Sequence, residues 1–257
     1  MKIGISIVHF GEQKLLDDCL KSLKDGMSSD YQVKIFNCNE NNIGFTSGNN
    51  RLISQFIKQN INTDDISSKP FYDWIWLLNN DTTVPKETLI AIQEELELKI
   101  NGVDFSYIHD IEDVGIIGFK ILSMDNPDLI HHAGTVQAFP NGVHKSGSVK
   151  LRQFTKCTEE KWVTFASVLI RREVFETCGF LDERFFNYCS DSDFCYTARS
   201  RGWKVIYKPT FVVHHKVGQS GNPNPEQQKI MVQDTIQFQN KWMSGKLFYD
   251  LDHELLN

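Results

Sequence analysis

Residues 74–81, Trp74-Ile75-Trp76-Leu77-Leu78-Asn79-Asn80-Asp81, indicate the fold more clearly than any other stretch of this chain. Five consecutive apolar residues predict a short strand that is buried on both faces, as the central strands of parallel sheets are. The strand ends abruptly in polar residues, with Asp81 at its carboxyl end. Ligands of open α/β sheets bind beyond that end of the strands. The stretch therefore predicts an α/β fold with a candidate site at Asp81.

Strand and helix patterns alternate around this stretch. The predicted strands at residues 2–8 and 32–36 are each followed by a helix, the second of which starts near Thr46-Ser47-Gly48. Pro85 suits the first turn of a third helix, which is predicted to run to about residue 100. Such alternation with short connections predicts a mainly parallel central sheet flanked by helices, in a single domain of residues 1–257.

The second half of the chain is less regular. We predict strands over residues 114–122, 164–170, 204–207 and 211–214, the last two separated by Pro209. We predict helices over residues 171–178 and 193–201, stopped by Gly179 and Gly202, and a last helix after Pro225. The face of that last helix is expected to consist of Met231, Thr235, Phe238 and Trp242. Residues 59–70 and 123–160 are predicted to be loops.

Composition and charge exclude some classes of protein. The 257 residues carry 27 basic and 33 acidic side chains, a net charge of -6, whereas a general nucleic-acid binder needs a basic surplus. No apolar run approaches the roughly 20 residues of a membrane span, so membrane contact is expected to be peripheral at most. The six cysteines form no C-x-x-C pair and are expected to be reduced thiols in the cytoplasm.

Asp81 allows two interpretations. Magnesium and manganese prefer oxygen ligands, often one or two carboxylates together with substrate phosphates, and Asp81 can supply such a ligand. Alternatively, Asp81 begins a turn or caps the helix that starts near Pro85. The local sequence leaves both open.

Asp191 and Asp193 also allow two interpretations. A carboxylate placed against a hydroxyl group can act as a general base. Two acidic residues just before a predicted helix can equally be an N-cap and its neighbour.

Two further segments carry weaker signals. His214-His215-Lys216, followed by a glycine-containing turn at 217–220, can hold a metal or a diphosphate, but paired histidines are also common at surfaces and in cores. Residues 44–51 enter a helix, and backbone N–H groups at a helix start can receive a diphosphate. A loop that enters a helix needs no ligand to explain it.

Seven segments, in this order, resemble the family 2 glycosyltransferases, and in particular their bacterial rhamnosyltransferase-like branch. They are ISIVHFGEQKLLDDCLKSL (5–23), NENNIGFTSGNNRLI (39–53), WIWLLNNDTTVPKETL (74–89), VGIIGFKIL (114–122), IHHAGTVQ (130–137), VTFASVLIRREVFETCGFLDERFFNYCSDSDFCYTARSRGWKVIYKP (163–209) and VVHHKVGQS (212–220). The resemblance implies a GT-A fold with a Rossmann-like sheet, and an inverting transfer of a sugar from a nucleotide-diphosphate donor to a hydroxyl group. It also implies a nucleotide-binding half at about 1–81 and an acceptor-binding half at about 82–257, which includes the C-terminal helix.

The resemblance assigns roles to individual residues. Asp81 matches the last Asp of the family's D-x-D motif and, with His215, is expected to bind Mn²⁺ or Mg²⁺. Asp191 matches the family's general base. The expected donor-binding residues are His9, Phe10, Glu12, Asn37, Asn39, Gly44, Asn49, Asn79 and Asn80. The expected acceptor-side residues are Phe186, Tyr188 and Asp193.

Three positions depart from the family pattern. Asn79 replaces the first Asp of the D-x-D motif, and Ser190 replaces the Glu before the base. The segment after the second strand, residues 33–40, lacks the Asp that usually contacts the nucleobase, so Asn37, Asn39 or Glu40 is expected to take its place. The change at Asn79 affects the metal-binding motif, and the change at residues 33–40 affects which nucleotide is expected to bind.

The expected partners follow from the resemblance. They are a UDP- or dTDP-linked sugar and a glycan or lipid-linked glycan acceptor, in the cytoplasm or at the inner face of the cell membrane, for the synthesis of a cell-surface polysaccharide. A non-catalytic homologue that binds nucleotide sugars and a sugar nucleotidyltransferase are the alternatives. The sequence after the first strand lacks the Gly-rich, Arg-containing loop that a nucleotidyltransferase needs. The sequence does not fix the oligomeric state.

Overall fold

The computed structural model describes residues 1–58, 72–98, 111–136, 143–216 and 224–242. The helices are α1 (Gln13–Lys24), α2 (Gly44–Lys58), α3 (Lys86–Leu98), α4 (Arg172–Cys178), α5 (Ser190–Arg199) and α6 (Pro225–Trp242). The strands are β1 (Ile3–His9), β2 (Tyr31–Asn37), β3 (Trp74–Leu78), β4 (Thr82–Thr83), β5 (Val114–Ser123), β6 (Leu129–His132), β7 (Thr135–Val136), β8 (Val143–His144), β9 (Gly147–Ser148), β10 (Thr158–Glu159), β11 (Ser167–Arg171) and β12 (Lys204–His215).

The main sheet has the strand order β10-β12-β5-β11-β3-β1-β2. β1 is parallel to β2 and β3, and β12 is parallel to β5. β11 is antiparallel to both of its neighbours, β3 and β5, so the sheet is mixed rather than mainly parallel. The α/β architecture with flanking helices is confirmed. The carboxyl ends of β1, β2 and β3 lie side by side at one edge.

Period-two alternation in the strands divides the core into two layers. Trp74, Trp76 and Leu78 pack with α1 and α3, whereas Ile75 and Leu77 face the opposite side, where α2, α4, α5 and α6 pack. This explains why β3 is apolar at every position, since a strand covered on both faces has no polar side.

A glycine lets α2 approach the sheet closely. A Cβ atom at Gly4 of β1 would lie 2.7 Å from the Phe56 ring of α2. Beside it, the Ser6 hydroxyl donates to Asn49 Oδ1 at 2.8 Å, and the Asn49 amide donates to the Phe45 carbonyl at 3.0 Å. The absence of a side chain and the buried amide together fix α2 against β1.

Several predicted boundaries are wrong. α2 begins at Gly44, two residues before Thr46, and the Gly44 N–H is satisfied by Asn42 Oδ1 at 3.0 Å. β11 begins at Ser167 rather than at residue 164. The two strands predicted around Pro209 are one strand, β12, whose pairing with β5 shifts register between Lys208 and Val212. A bulge therefore accommodates the proline without ending the strand.

Two errors concern helices. α5 begins at Ser190 rather than at Asp193, so both acidic residues lie in its first turn and Cys189 occupies the N-cap. On α6, Phe238 and Trp242 are buried as predicted, but Met231 is exposed and Asp234 is buried in its place.

Some predictions lie outside the described residues. They are the loop at 59–70, the end of the third helix near residue 100, the turn at 217–220 and, within the loop region 123–160, residues 137–142. Within the described part, no helix is long and apolar enough to cross a membrane. The six cysteines all lie in the described part of the chain, and no disulfide bond joins any of them there.

Candidate active site

His9 joins the ends of three parallel strands. It closes β1 with its ring fully buried, and its Nε2 lies 3.1 Å from the Asn39 amide nitrogen beyond β2. Its Nδ1 lies 3.0 Å from the Asn80 amide nitrogen beyond β3. The structure thus brings together three residues that the sequence assigned to donor binding.

Two side-chain amides face the two ring nitrogens of His9. Asn39 is oriented by Gly11, whose N–H donates to Asn39 Oδ1 at 2.8 Å and whose carbonyl accepts from Asn39 Nδ2 at 3.1 Å. The same amide nitrogen faces His9 Nε2, and the Asn80 amide nitrogen faces His9 Nδ1, so a neutral ring can accept a hydrogen bond from one of these two amides and not from both. Burial lowers the pKa of His9, so the ring is neutral at neutral pH. A neutral, tightly held ring gives the floor of the site a fixed shape.

The other donor-side candidates occupy different environments. Phe10 is 53% exposed directly after β1 and is available for stacking, and Glu12 is exposed at the N-cap of α1. Asn37 is exposed, and its Oδ1 accepts from the N–H of Asn39 at 2.9 Å, which shapes the turn after β2. Asn79 is partly buried, and its carbonyl accepts from the Thr82 hydroxyl at 2.7 Å.

Two of the candidates serve the fold. Asn49 is buried, and both ends of its amide are engaged within the protein as described above. Gly44 has a φ of +83°, and a Cβ there would lie 2.4 Å from the Phe186 carbonyl oxygen. Gly44 therefore allows the close approach of the segment that contains Phe186, and neither residue presents a side chain to a ligand.

Asp81 and His215 are neighbours, as the metal prediction requires. β4 pairs with the end of β12, which sets His215 opposite Thr82. Asp81 Oδ1 lies 3.0 Å from His215 Nε2, and the Lys216 N–H donates to the Asp81 carbonyl at 3.0 Å. Both side chains are partly buried at the rim of the strand ends.

Asp81 offers a carboxylate oxygen, the kind of ligand that Mg²⁺ and Mn²⁺ prefer, and His215 offers an imidazole nitrogen beside it. Asp81 Oδ1 and His215 Nε2 are within hydrogen-bond distance of each other, and a cation bound at this pair would take one or both of them as ligands. Among the described residues, no group of three or more His, Cys, Asp or Glu side chains is placed to hold a metal. An ion with two protein ligands completes its shell with water and phosphate oxygens, which is how such cations are commonly held beside a diphosphate.

Asp191 lies in the first turn of α5, partly exposed. Burial raises the pKa of Asp191 to about 6, although the backbone N–H groups of Ser192 and Phe165 donate to its carboxylate. A carboxylate with a pKa close to neutrality is suited to accept a proton from a hydroxyl group.

One dipeptide connects Asp191 with the end of β3. The Phe165 N–H donates to the Asp191 carboxylate, and the carbonyl of the next residue, Ala166, accepts from the Asn79 N–H at 2.9 Å. The candidate base and the Asn79-to-Asp81 segment are therefore fixed to the same short stretch before β11. This connection was not predicted, because it depends on the antiparallel pairing of β11 with β3.

The acceptor-side candidates divide into two groups. Phe186 and Tyr188 lie partly exposed in the segment before α5. Asp193 is buried, and its carboxylate binds Lys241 Nζ at 2.8 Å and Trp242 Nε1 at 2.6 Å. Asp193 thus faces α6 and holds that helix, which is a correction to its predicted place on the acceptor side.

The sequence analysis missed Asp234 of α6. Its carboxylate accepts from the N–H groups of Phe186, Asn187 and Tyr188 at 3.0, 2.9 and 2.7 Å. A signal was present, because Asp234 precedes Phe238 and Trp242 by one and two helical turns and so shares their buried face.

Comparison with known sequences gives a partial match. No protein-family model matches the chain. The N-acetylglucosaminyl-diphospho-decaprenol L-rhamnosyltransferase of Mycobacterium tuberculosis (strain CDC 1551 / Oshkosh) is 36% identical over 61 residues. This match spans 23% of the chain and 20% of the relative, and the same enzyme from strain ATCC 25618 / H37Rv matches to the same extent. The match spans about a fifth of the length of these relatives.

Comparison with solved structures covers most of the chain. GalNAc-T7 with UDP, GalNAc and Mn²⁺ has a TM-score of 0.57 and 14% identity, covering 87% of this chain and 45% of that one. S. aureus TarS has a TM-score of 0.54 and 11% identity, covering 84% and 37%. A197 from STIV has a TM-score of 0.51 and 15% identity, covering 85% and 87%. The chain spans less than half of the first two proteins, and at these identities the likeness concerns the fold. The chain therefore has the GT-A fold of glycosyltransferases, with a distant and partial sequence similarity to the family 2 rhamnosyltransferases of mycobacteria.

Proposed function

We propose that this chain transfers a sugar from a nucleotide-diphosphate donor to a hydroxyl acceptor, with inversion at the anomeric carbon. One observation carries the proposal. The carboxylate of Asp191, whose pKa burial raises to about 6, accepts from the Phe165 N–H, and the carbonyl of the next residue, Ala166, accepts from the Asn79 N–H at the end of β3. A base and a cation-binding carboxylate on one rigid frame are what a single displacement between a diphosphate and a hydroxyl requires.

Different residues bind the donor and the acceptor in this proposal. Asp81 and His215 would hold Mn²⁺ or Mg²⁺ on the donor diphosphate, where the cation offsets negative charge on the leaving group. His9, Asn39 and Asn80 form the floor of the nucleotide site, and exposed Phe10 offers its ring to the nucleobase.

Asp191 accepts the proton of the attacking hydroxyl on the opposite side of the sugar. Phe186 and Tyr188 line the acceptor side.

The donor and acceptor classes rest on similarity. GalNAc-T7 and S. aureus TarS residues 1–349 were both crystallised with UDP, which favours a UDP- or dTDP-linked donor. The mycobacterial relative is a rhamnosyltransferase that acts on a decaprenol-linked sugar, which favours a glycan or lipid-linked glycan acceptor at the inner face of the membrane. We assign residues of about 1–81 to the nucleotide and the remainder to the acceptor.

Binding of nucleoside diphosphates tests the donor half of the proposal. Thermal unfolding is measured with UDP, dTDP, GDP and ADP, each with and without Mn²⁺. We expect UDP or dTDP to raise the melting temperature and Mn²⁺ to enlarge that shift, because a ligand that binds only the folded state stabilises it. If no diphosphate shifts the melting temperature under either condition, the proposal is wrong.

The pH dependence of transfer reports the base. The pKa of Asp191 is about 6, so its carboxylate is ionised above that pH and protonated below it. We expect kcat/KM for the acceptor to fall tenfold for each pH unit below about 6 and to level off above it. Initial rates between pH 4.5 and 8 measure this profile, and rates that do not change across pH 6 would contradict the assignment of Asp191.

A non-catalytic nucleotide-sugar-binding protein is the second candidate. One observation favours it. Ser190 replaces the Glu that the family has before its general base, and the buried Ser190 hydroxyl has no hydrogen-bond partner among the described residues. Such a protein would bind a nucleoside diphosphate in the same thermal assay without consuming any sugar nucleotide.

A further inference from the structure

The segment from Phe186 to Tyr188, directly before α5, is held by one side chain from α6. The Asp234 carboxylate accepts all three backbone N–H groups, Phe186 on Oδ1 at 3.0 Å and Asn187 and Tyr188 on Oδ2 at 2.9 and 2.7 Å. Asp234 is 3% exposed. We propose that Asp234 is a positioning residue for the transfer reaction, which sets the acceptor side and the approach of Asp191. This inference rests on the proposed function.

The chemistry of the contact favours a specific role. A buried carboxylate is costly unless hydrogen bonds stabilise its charge, and three N–H donors do so here. These three hydrogen bonds of the Asp234 side chain run to residues 186–188, which are separated from it by 46 to 48 positions in the chain. The carboxylate of a distant residue thus fixes the backbone conformation of this segment.

Other residues of α6 bind the two ends of the same region. Lys241 Nζ lies 3.0 Å from Asp182 Oδ2 and 2.8 Å from Asp193 Oδ1. It therefore connects Asp182, which precedes the segment by four residues, with α5. Thr235 hydrogen-bonds the Cys189 thiol. The region from residue 182 to 193 is therefore bound to α6 along its length.

α2 holds the opposite side. The Thr46 N–H donates to the Phe186 carbonyl at 3.3 Å. Asn50 accepts from the Leu181 N–H at 3.0 Å and donates to the Leu181 carbonyl at 2.8 Å. The Phe186 peptide is thus bound between α2 and α6, and the segment has little freedom to shift without breaking one of the two sets of bonds.

The backbone conformation after the segment explains why its position matters. Cys189 has a φ of +60°, a left-handed conformation that is unfavourable for a residue with a side chain. Ser190 and Asp191 follow at once in the first turn of α5. The chain can keep this strained turn only if the residues before it are fixed, and Asp234 fixes them. A displaced 186–188 segment would therefore change both the acceptor surface and the direction of Asp191.

Replacement of Asp234 by asparagine tests the proposal. The amide keeps the size of the side chain but places an NH₂ group against at least one of the three N–H donors, so we expect the segment to loosen. The matched control is Glu226→Gln, which removes the same charge from an exposed position in the first turn of α6. For Asp234→Asn we expect kcat to fall about tenfold or more, since small misplacements of reacting groups are costly. The Kd of the nucleotide should stay within about twofold, because the hydrogen bonds that hold His9, Asn39 and Asn80 do not involve residues 186–188.

Hydrogen exchange provides a measurement that does not need activity. In the unchanged protein, the amides of Phe186, Asn187 and Tyr188 should be protected, and in Asp234→Asn they should exchange at least about tenfold faster, whereas Glu226→Gln should leave them unchanged. Free exchange of these amides in the unchanged protein would overturn the proposal even if Asp234→Asn did not fold.

The outcomes separate this inference from the proposed function. Faster exchange with lower kcat at unchanged nucleotide affinity supports the positioning role. A lower melting temperature with unchanged kcat per folded molecule means that Asp234 only stabilises the fold, and it overturns the inference while the proposed function stands. If the unchanged protein transfers no sugar with any donor, the proposed function fails and the catalytic part of the inference fails with it. The exchange rates still show whether Asp234 holds the segment.

Discussion

Replacement of Asp191 by asparagine is expected to lower sugar transfer by about 10²- to 10⁴-fold, the contribution of a general base, while nucleotide binding is retained. An amide cannot accept the proton of the acceptor hydroxyl, but it keeps the shape of the side chain and can still accept the Ser192 N–H on its oxygen. The donor residues do not contact this side chain, so the affinity for nucleoside diphosphate should be unchanged.

The stability of this variant provides an independent check. Burial raises the pKa of Asp191 from an ordinary 3.8 to about 6, so the folded state binds the proton more tightly than the unfolded state does. The free energy of unfolding therefore falls as the pH rises between these two values, and the ionised group opposes folding at pH 7. Asparagine removes this ionisation, so the melting temperature at pH 7 should stay the same or rise, as is common where a strained group serves function.

A matched variant controls for the loss of one negative charge. Asp125 is exposed and is not one of the candidate site residues, so Asp125→Asn should leave transfer, nucleotide affinity and melting temperature unchanged. Initial rates with acceptor, nucleotide titration and thermal unfolding are measured on all three proteins. Transfer by Asp191→Asn at the rate of the unchanged protein would rule out Asp191 as the base.

Replacement of Asp81 by asparagine is expected to abolish the effect of Mn²⁺ on nucleotide binding and to lower transfer by about 10²-fold or more. Asparagine keeps an oxygen that can accept from His215 Nε2, 3.0 Å from the carboxylate, so the strand ends should stay together. A neutral amide is a weaker ligand for a hard divalent cation than a carboxylate, and the leaving diphosphate loses charge stabilisation. EDTA should have the same effect on the unchanged protein.

The readout is the affinity for UDP or dTDP, titrated with Mn²⁺ and with EDTA. In the unchanged protein and in Asp125→Asn, we expect Mn²⁺ to tighten nucleotide binding at least tenfold. In Asp81→Asn, the nucleotide affinity measured with Mn²⁺ should equal the affinity measured with EDTA. If Asp81→Asn and the unchanged protein respond to Mn²⁺ alike, the cation does not bind at Asp81.

Sequence patterns predicted the elements whose signals are local. The apolar run of β3 predicted burial on both faces, because a five-residue strand covered by helices on both sides has no polar position. The helical spacing of Leu89, Ile92 and Leu96 predicts that they share one face of α3, and all three are buried in the core.

Features that depend on distant partners could not be predicted. The start of α5 was misplaced by three residues, since its N-cap has a left-handed conformation and the segment before it is shaped by Asp234 rather than by a local cap. The family resemblance assigns Asp193 to the acceptor side, and no sequence pattern relates it to Lys241 or Trp242, which bind its carboxylate from almost fifty residues later. Pro209 suggested a strand break, but a register shift against β5 absorbs it.

In the candidate site, too, some features were predicted from the sequence and others depend on contacts between distant residues. Asp81 and His215 were predicted as a pair from the resemblance, and the β4–β12 pairing brings them to 3.0 Å. The His9–Asn39–Asn80 cluster follows from the meeting of three parallel strand ends, although the bond pattern around the imidazole required the structure. Asn49 has the same residue type as Asn39 and Asn80, yet it lies inside the fold, and only the register of α2 against β1 reveals this.

The most direct test of the proposed sugar transfer is the release of nucleoside diphosphate from a panel of UDP- and dTDP-sugars with Mn²⁺, measured side by side for the unchanged protein, Asp191→Asn and Asp125→Asn. The proposal predicts that at least one donor is consumed by the unchanged protein and by Asp125→Asn at equal rates, and at least 10²-fold more slowly by Asp191→Asn. No release from any donor, or equal release by all three proteins, would contradict it.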